Sequence, residues 1–371
     1  MMKTNFKKIS KNFGFGCLRL PMNGDEVDHR HFSQMVDLYM QNGFNYFDTA
    51  HTYIDGKSET AIRECVVKRY PRESFVLVNK LTNALFDKQE DIVPFFEMQL
   101  DACGVEYFDF YFMHGLNAVY MKKFERCNAF ETVFKLMDQG KIKHFGISFH
   151  DSAEILDQIL RKYPQIEVVQ IQLNYLDYDD NTVQGKKCLD ICRKYNKPVI
   201  VMEPVRGGRL TELPTEAKQI FDSLGGSPAS YAIRYAASFG NVMMVLSGMS
   251  NLDQMQENIG FMKDFKPLDQ SELDAVYKVR DIIRSHNLIS CTTCRYCVSG
   301  CPKNIPIPDL FTCYNNHMMH GDWIPAHYYK VHSRGGKSAS ACISCGMCEK
   351  VCPQHLKIRE LLKLVSNHFE K

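Results

Sequence analysis

Short apolar segments rich in valine, isoleucine, phenylalanine and tyrosine recur at intervals of roughly 30 residues, and amphipathic stretches of helical period lie between them. This alternation predicts repeated parallel βαβ units. Eight segments of strand length lie before residue 250: Phe15–Leu18, Phe44–Phe47, Phe75–Val78, Phe108–Met113, His144–Ile147, Val168–Gln172, Pro198–Met202 and Val242–Leu246.

The intervening stretches predict a helix after each strand, and several open with a serine, aspartate or asparagine cap. They are Arg30–Gln41, Glu59–Lys68, Ile92–Cys103, Phe130–Gln139, Ala153–Arg161, Lys186–Lys194, Pro228–Ser238 and Asn251–Lys263. Eight strands with eight helices favour an α/β fold of the closed (β/α)8 TIM-barrel type. A doubly wound sheet is the alternative, but it usually carries a G-x-G-x-x-G turn, and Gly14-Phe15-Gly16 lacks the third glycine.

Polar or charged residues directly follow seven of the predicted strands: Asp48, Lys80, His114, Ser148, Asn174, Glu203 and Ser247. The active face of a barrel is built at the carboxyl ends of its strands. A single polar residue in such a position is as often a structural cap as a functional group. Seven in succession favour a site.

Lysine and arginine total 45 against 43 aspartate and glutamate, so the net charge of +2 gives no general attraction to nucleic acid or to a membrane. A small-molecule substrate is therefore expected. The basic N-terminal stretch runs into no apolar segment, and the longest aliphatic runs have the length of core strands. Fifteen cysteines, an odd number, in a long chain without an export signal favour reduced thiols and metal ligation. These features predict a cytoplasmic protein.

The cysteines concentrate near the C-terminus in two runs that each spell C-x2-C-x2-C-x3-C-P. The predicted metal ligands are Cys291, Cys294, Cys297, Cys301, Cys342, Cys345, Cys348 and Cys352. Bacterial ferredoxins hold 4Fe-4S clusters with this run, and the fourth cysteine of each run ligates the other cluster. We therefore predict two 4Fe-4S clusters, with Cys352 completing the first set and Cys301 completing the second. Two structural zinc sites or free thiols are the alternatives, but zinc explains neither the third spacing nor the proline.

The chain is expected to contain two domains. Residues 1–286 form the predicted barrel, which ends after an amphipathic stretch from Asp269 to Arg284. Residues 287–371 form a small, mainly α-helical ferredoxin-like domain, with a helix predicted from Asp309 to His317 between the cysteine runs.

Motifs of the first domain resemble those of the aldo/keto reductases, and the resemblance extends to about residue 265. They are Gly14-Phe15-Gly16-Cys17, Asp48-Thr49-Ala50 with Tyr53, Asn79-Lys80, His114-Gly115, Gly146-Ile147-Ser148, Gln172-Leu173-Asn174-Tyr175 and Glu257-Asn258. The resemblance implies a TIM barrel with a catalytic tetrad of Tyr53, Lys80, Asp48 and His114.

Acid–base chemistry agrees with these implied roles. A carbonyl that receives a hydride becomes an alkoxide and needs a proton donor, but an unperturbed tyrosine, with a pKa of ~10, is a weak acid at neutral pH. Lys80 would favour the phenolate of Tyr53, and Asp48 would hold Lys80 charged and oriented. His114 would orient the carbonyl oxygen. Each residue alone also has a structural explanation, such as a buried ion pair between Asp48 and Lys80.

The resemblance further implies a nicotinamide cofactor. The residues implied for its binding are Ser148, Gln172, Asn174, Arg206, Ser247, Glu257 and Asn258. The first three would lie near the carboxamide, and the last three near the adenosine end. Arg206 and Arg209, with two glycines between them, could hold phosphates, although an ordinary glycine-rich turn fits the residues equally well. No basic residue stands between Ser247 and Gln256, which argues against NADP specificity because a cation best holds the 2′-phosphate.

Together these features predict an oxidoreductase that exchanges a hydride between NAD(P)H and a carbonyl or alcohol substrate, with the clusters serving electron transfer. Clusters pass single electrons, so exchange with a nicotinamide normally needs a flavin or another converter. The expected redox partner is a ferredoxin or a flavoprotein. The alternative is an electron-transfer protein whose barrel binds a ligand or partner without carbonyl reduction. A third hypothesis treats the clusters as structural staples.

Overall fold

The computed structural model describes residues 6, 8–181, 183–286, 288–320 and 323–370. Eight strands form the central sheet: β1 (Phe13–Gly16), β2 (Tyr46–Asp48), β3 (Val76–Thr82), β4 (Phe108–Leu116), β5 (Ile142–Phe149), β6 (Val168–Gln172), β7 (Val199–Met202) and β8 (Val242–Ser247). A separate antiparallel hairpin pairs Met22–Asn23 with Glu26–Val27.

Helices connect the strands and continue beyond the last one: α1 (His29–Gln41), α2 (Lys57–Ile62), α3 (Ile92–Cys103), α4 (Ala118–Arg126), α5 (Ala129–Asp138), α6 (Ala153–Lys162), α7 (Gly185–Lys194), α8 (Thr215–Leu224), α9 (Pro228–Ala237), α10 (Leu252–Met262), α11 (Gln270–Ser285), α12 (Tyr296–Ser299), α13 (Ile307–His320), α14 (Ile324–His332), α15 (Met347–Lys350) and α16 (Ile358–Phe369). The stretch predicted as a single helix from Glu59 to Lys68 consists of α2 and a π-helical turn, Arg63–Val67. No helix within the described residues is both long and apolar enough to cross a membrane.

The eight strands form a closed parallel barrel in sequence order. Closure occurs at β1, where Phe15 lies opposite Phe47 of β2 on one side and opposite Ser247 of β8 on the other. Both faces of each strand are covered, one by the barrel interior and one by helices, which explains why the strands read as continuous apolar runs. The predicted α/β TIM-barrel fold is confirmed.

Large side chains fill the barrel interior, and two glycines make room for them. A Cβ atom at Gly14 would lie 2.7 Å from Leu246 Cδ2 and 2.9 Å from Tyr46 Cδ1. A Cβ atom at Gly146 would lie 2.6 Å from the ring of Phe112. Since such distances are far below van der Waals contact, these glycines are required by the space that the neighbouring aromatic and aliphatic groups occupy.

The chain divides into two compact units, and the division does not follow sequence order. One unit contains all eight barrel strands and comprises Met1–Pro204 with Ala232–Leu268. The other comprises Val205–Tyr231 with Asp269–Lys371. Helix α8 therefore belongs with the C-terminal region, where it packs against α11. The predicted domain boundary between residues 286 and 287 stays a prediction, and Asn287 lies outside the described residues.

The C-terminal region has its own apolar core, in which Leu310 and Phe311 of α13 pack with Val365 of α16. Asn315 of α13 fixes the segment that leads into the first cysteine run. Its Oδ1 accepts a hydrogen bond from the amide of Ile289, and its Nδ2 donates to the Ile289 carbonyl, both at 2.8 Å. A buried side-chain amide that satisfies both groups of one residue holds the backbone in place.

Candidate active site and cysteine loops

A buried ion pair lies at the barrel end where the strands finish. Lys80 Nζ donates to Asp48 Oδ1 at 2.6 Å and to the carbonyl of Thr49 at 2.7 Å. Gln170 Nε2 donates to the other Asp48 oxygen at 3.3 Å. The side chains of Lys80 and Asp48 are 0% and 2% exposed. Burial lowers the pKa of Lys80 and raises the pKa of Asp48, and the ion pair opposes both shifts.

Tyr53 lies beside this cation. The Nζ atom of Lys80 is 4.8 Å from the centroid of the Tyr53 ring, and that ring meets the imidazole of His114 edge to face with centroids 6.0 Å apart. Tyr53 begins a short 3-10 turn in which Ile54 and Asp55 have φ values of 51° and 52°. Left-handed backbone is costly for a β-branched residue and persists only where its surroundings impose it. The four residues predicted as a tetrad therefore lie together.

His114, in β4, is oriented by a neighbour that the sequence did not reveal. Its Nδ1 lies 2.7 Å from Thr82 Oγ1, and the two residues are direct register partners on adjacent strands. Burial lowers the pKa of His114 well below its usual value, and the charge of Lys80 lowers it further. The imidazole is accordingly neutral at pH 7.

A fully buried carboxylate, also not predicted, supports the strand that carries Lys80. Glu59 Oε1 accepts hydrogen bonds from Asn79 Nδ2 at 2.8 Å and from Gln99 Nε2 at 3.1 Å. Gln99 Nε2 also lies 3.2 Å from the carbonyl of Lys80. The second oxygen of Glu59 is 2.7 Å from Nδ1 of the partly exposed His51, and this hydrogen bond raises the pKa of His51. The network thus runs from the backbone of Lys80 to the protein surface.

The residues predicted to lie near a nicotinamide carboxamide lie at the carboxyl ends of β5 and β6 or just after them. Ser148 is buried in β5. The side-chain amides of Gln172 and Asn174 both donate to Asp177 Oδ2, at 2.8 and 2.9 Å. Asp177 is 3% exposed and was not predicted. These amides therefore help to hold the loop after β6, and their roles in cofactor binding stay predictions.

The residues predicted for the adenosine end lie at β8 and α10. Ser247 and Asn258 are buried, and Asn258 Nδ2 lies 3.1 Å from Ser247 Oγ, whereas Glu257 is exposed. The loop after β1 adds a cation that sequence reasoning missed. The side-chain carbons of Arg19 would lie 3.5 Å from a Cβ atom at Gly248. Arg19 thus lies beside the segment from Ser247 to Gln256, which contains no basic residue of its own.

The loop after β7 contains three successive residues with positive φ, Arg206–Gly208, at 51°, 67° and 95°. Arg206 is 4% exposed, and its predicted contact with cofactor phosphates stays a prediction. Arg209 belongs to the same compact unit as the cysteine runs. Its Nε donates to the carbonyl of Cys291 at 2.7 Å, and its Nη2 donates to Thr312 Oγ1 at 3.1 Å.

The first set of thiols combines the two cysteine runs. Burial raises the pKa of Cys297, and the neighbouring thiols of Cys294, Cys291 and Cys352 raise it further. Cys291 also raises the pKa of Cys352, for which burial is the main cause. The fourth cysteine of the second run therefore lies with three cysteines of the first.

The second set shows the reciprocal arrangement. Cys301 lines a small surface cavity together with Cys342, Cys345 and Cys348. Burial raises the pKa of Cys348 to about 11, with Glu349 and Cys342 adding to the rise. Four thiols form each set, which is the donor chemistry that holds a 4Fe-4S cluster. The residues present therefore fit such a group.

The two cysteine loops share a backbone conformation. Thr293 and Ser344, two residues after the first cysteine of each run, have φ values of 54° and 57°. Their amides donate to the sulfur of that first cysteine at 3.4 Å in both loops. Arg295 and Gly346 are also left-handed, at 67° and 75°, and precede the short helices α12 and α15. Both loops therefore have left-handed backbone at the same two positions between their first three cysteines.

The remaining seven cysteines are buried: Cys17, Cys65, Cys103, Cys127, Cys188, Cys192 and Cys313. None of the fifteen cysteines, all of which are described, forms a disulfide. Within the described part of the chain no three His, Cys, Asp or Glu side chains converge on a single metal ion. In a 4Fe-4S site each cysteine binds a different iron, so its ligands need not converge on one point.

Comparison with protein families identifies both parts of the chain. Residues 12–281 match the aldo/keto reductase family. The chain belongs to this family. Residues 290–357 match the 4Fe-4S dicluster domain. The protein is thus an oxidoreductase of the aldo/keto reductase family with a C-terminal region of the ferredoxin type, and the resemblance seen in its motifs is confirmed.

Three proteins similar to this aldo/keto reductase share 17–23% of its residues over the aligned regions. The uncharacterised oxidoreductase YqkF of Bacillus subtilis (strain 168) is 23% identical over 308 residues, which cover 74% of this chain and 94% of YqkF. The holo structure of aldo-keto reductase AKR11C1 from Bacillus halodurans is similar, with a TM-score of 0.60, 21% identity and coverage of 73% of this chain and 92% of that one. An aldo-keto reductase from Klebsiella pneumoniae in complex with NADPH gives a TM-score of 0.61 at 17% identity, covering 73% and 95%. These structures support the barrel fold.

Proposed function

We propose that this aldo/keto reductase transfers a hydride between a nicotinamide and a carbonyl or alcohol substrate, and that its C-terminal region holds two 4Fe-4S clusters for electron transfer. The observation that carries the proposal is the buried Lys80–Asp48 pair, with Lys80 Nζ 4.8 Å from the centroid of the Tyr53 ring. Burying an ion pair is costly, and a buried ion pair is weak evidence for stability. Its placement beside a potential proton donor at the active face of a barrel favours catalysis.

Tyr53 is the proposed acid and base. The ammonium of Lys80 stabilises the phenolate of Tyr53 and so makes the phenol a stronger acid, while Asp48 keeps Lys80 charged and in place. A bound nicotinamide supplies or accepts the hydride. In the direction of reduction, Tyr53 gives its hydroxyl proton to the oxygen that becomes the alcohol. In the direction of oxidation, the phenolate takes that proton back.

His114 is proposed to orient the substrate oxygen. Its ring is neutral, and Nδ1 is engaged by Thr82 at 2.7 Å. We assign the Thr82 hydroxyl as the donor in this bond, which places the ring proton on Nε2. A neutral imidazole in this tautomer donates a hydrogen bond toward the carbonyl oxygen without competing for the proton of Tyr53.

The proposed nicotinamide-binding residues lie at or just after the ends of β5, β6 and β8 (Ser148, Gln172, Asn174 and Ser247), in α10 (Glu257 and Asn258) and after β7 (Arg206). The position of Arg19 beside Gly248 supports a phosphate contact on the adenosine side. Comparing the KM values for NADH and NADPH in wild-type and Arg19→Gln protein tests this contact. A larger rise for NADPH would place Arg19 at the 2′-phosphate, an equal rise would place it at a shared phosphate, and no rise would exclude it from the site.

The two cysteine sets differ in exposure, and this difference supports one of them as the exchange point with a redox partner. Cys291 and Cys297 are buried, whereas Cys345 is exposed, with Ile343 and Met347 around it 57% and 46% exposed. We assign the Cys345 side to contact with a ferredoxin or a flavoprotein. A cluster accepts or gives one electron, so a flavoprotein partner would supply the conversion from the electron pair of a nicotinamide.

The decisive experiment combines metal analysis with turnover. Anaerobically prepared protein is expected to contain about eight irons per chain and to oxidise NADH or NADPH when aldehydes or ketones are supplied. Tyr53→Phe should lower kcat by about 10²-fold to 10⁴-fold, because general acid catalysis is lost. Tyr328→Phe is the matched control, since Tyr328 is 54% exposed on α14. Wild-type turnover in Tyr53→Phe would rule out this mechanism.

A second candidate function is electron transfer by a protein whose barrel binds a ligand without reducing a carbonyl. The hydrogen bonds from Gln172 and Asn174 to Asp177 favour it, because these amides already have partners within the protein. Titration with NADH and NADPH while the visible spectrum is recorded distinguishes the two functions. Cluster bleaching by a redox partner, together with no nicotinamide binding and no carbonyl turnover, would support the second.

A further inference from the structure

The two cysteine loops are built alike but do not have the same electrostatic surroundings. Each loop places an amide 3.4 Å from the sulfur of its first cysteine, and each has an arginine nearby that is neutralised by a carboxylate. Arg295 pairs with Asp309 at 2.8 Å in the first loop, and Arg359 pairs with Glu349 at 2.8 Å beside the second. Since these features match, they cannot by themselves make the two sites different.

Arg209 differs from the cation beside the second set, because Lys303 lines the cavity of that set but is exposed to water, whereas Arg209 is partly buried. It comes from the segment after β7, far from the cysteine runs in sequence, and its Nε is 2.7 Å from the carbonyl of Cys291. Its second partner, Thr312 Oγ1, is neutral. Within the described residues Arg209 has no carboxylate at ion-pair distance. It therefore brings a positive charge, which the more distant carboxylate of Glu212 offsets only in part, to the residue that begins the first thiol set.

The side chain of Arg209 is partly buried, so water screens its charge less than it would at an open surface. Arginine remains protonated at any pH at which the protein is folded. Reduction of a cluster adds one electron and no bond or proton, so the group becomes more negative by one charge. A fixed cation nearby stabilises the reduced form more than the oxidised form, and charge and hydrogen bonding around a cluster are among the factors that set its potential.

We propose that Arg209 is a positioning residue for electron transfer, which raises the reduction potential of the cluster on Cys291, Cys294, Cys297 and Cys352 and so directs an electron to that cluster. The inference rests on the proposed presence of two clusters, but not on the proposed carbonyl chemistry. The electron comes from an external one-electron donor and resides on the first cluster after transfer. The cluster on the second set, beside which the exposed Lys303 lies instead of a buried cation, serves as an internal reference.

The test is a mediated redox titration of the full-length, anaerobically prepared protein, followed by electron paramagnetic resonance. Variants Cys352→Ser and Cys301→Ser assign each signal to its set. Arg209→Gln is expected to lower the ratio of reduced to oxidised first cluster at a fixed potential by about tenfold, equivalent to ~59 mV. The second cluster should keep its wild-type ratio. Arg209→Lys should lie close to wild type because it retains the charge.

A second pair of variants tests the proposal independently in case Arg209→Gln does not fold. Thr312→Asp places a carboxylate next to the guanidinium and should lower the reduced fraction of the first cluster in the same direction, whereas Thr312→Asn serves as its neutral control. An unchanged first-cluster potential in Thr312→Asp relative to Thr312→Asn, with full iron content, would overturn the proposal. Because mediators titrate the clusters directly, failure of carbonyl turnover would leave this result unaffected.

Discussion

Lys80 and Asp48 share a hydrogen bond of 2.6 Å at a position where neither side chain is more than 2% exposed. Removing one member of such a pair leaves an uncompensated buried charge, which costs about 3–5 kcal/mol. We expect Lys80→Met to lower the free energy of unfolding by that amount in urea titrations. Asp48→Asn combined with Lys80→Met should recover most of the loss, because no charge remains. Carbonyl turnover should stay absent in both variants. A stable double variant with wild-type turnover would mean that the pair serves stability alone.

The hydrogen bond between His51 and Glu59 predicts a pH dependence of stability. It raises the pKa of His51 above the usual value of 6.5, so the folded state binds this proton more tightly than the unfolded state. The stabilisation is therefore fully present below the unfolded pKa and is lost as the pH rises through the higher folded pKa. His51→Gln should reduce the decrease in unfolding free energy between the unfolded and the folded pKa of His51. Unfolding in urea at a series of pH values measures this decrease.

The size of this effect is limited, because the His51 side chain is 31% exposed and solvent screens the interaction. His29→Gln, at the exposed start of α1, is the control for replacing a histidine by glutamine at a site without a contact to Glu59. If His51→Gln retained the wild-type profile, the Glu59 bond would not be linked to proton binding. Proton NMR of the His51 ring gives an independent reading, since Glu59→Gln should bring its titration back toward the ordinary range.

The barrel was predictable because apolar residues recur at regular intervals along its strands and helices. Val168–Gln172 was predicted with both ends correct, and other strands differ from their predicted bounds by a few residues. Helix α4 was missed because it is short and polar and follows β4 at once. It is fixed locally instead, by Asn117, whose side chain accepts hydrogen bonds from the amides of Val119 and Tyr120. A capping contact of this kind carries little periodic signal.

The residues of the candidate site also differ in how well the sequence predicts them. Asp48, Lys80 and His114 were found because they lie at or near the carboxyl ends of strands that converge at one face of the barrel. Thr82 and Glu59 were missed, since their roles depend on which side chains meet across neighbouring elements. The contact of Arg209 with Cys291 has no local signal at all, because the two residues are far apart in sequence and only the fold brings them together.

The space around Gly146 predicts a packing defect. A Cβ atom there would lie 2.6 Å from Phe112 Cε1 and 2.7 Å from the carbonyl oxygen of Val168, which is backbone and cannot move aside cheaply. Gly146→Ala should therefore reduce stability by about 1–3 kcal/mol, as overpacked cores do. Gly260→Ala is the matched comparison. Gly260 lies within α10 with nothing near the added Cβ, so it should gain about 0.5–1 kcal/mol. Equal effects in thermal unfolding would contradict the steric explanation.

The exchange of fourth ligands between the cysteine runs predicts which variants damage the same cluster. Cys352 lies with Cys291 and Cys297, and Cys301 lines the cavity of Cys345. Cys352→Ser should therefore remove the same paramagnetic resonance signal as Cys291→Ser. Cys301→Ser should remove the same signal as Cys345→Ser. Each of these variants should lower the iron content from about eight to about four per chain.

Cys313→Ser is the control for this series, because Cys313 is buried in α13 outside both runs and should keep full iron. Iron and sulfide analysis with electron paramagnetic resonance measures the outcome. If Cys352→Ser matched Cys345→Ser instead, each run would hold its own cluster, and the ligand sets drawn from the thiol positions would be wrong. The proposed role of Arg209 would then concern a different ligand set, since the cluster next to Arg209 would be completed by Cys301 rather than by Cys352.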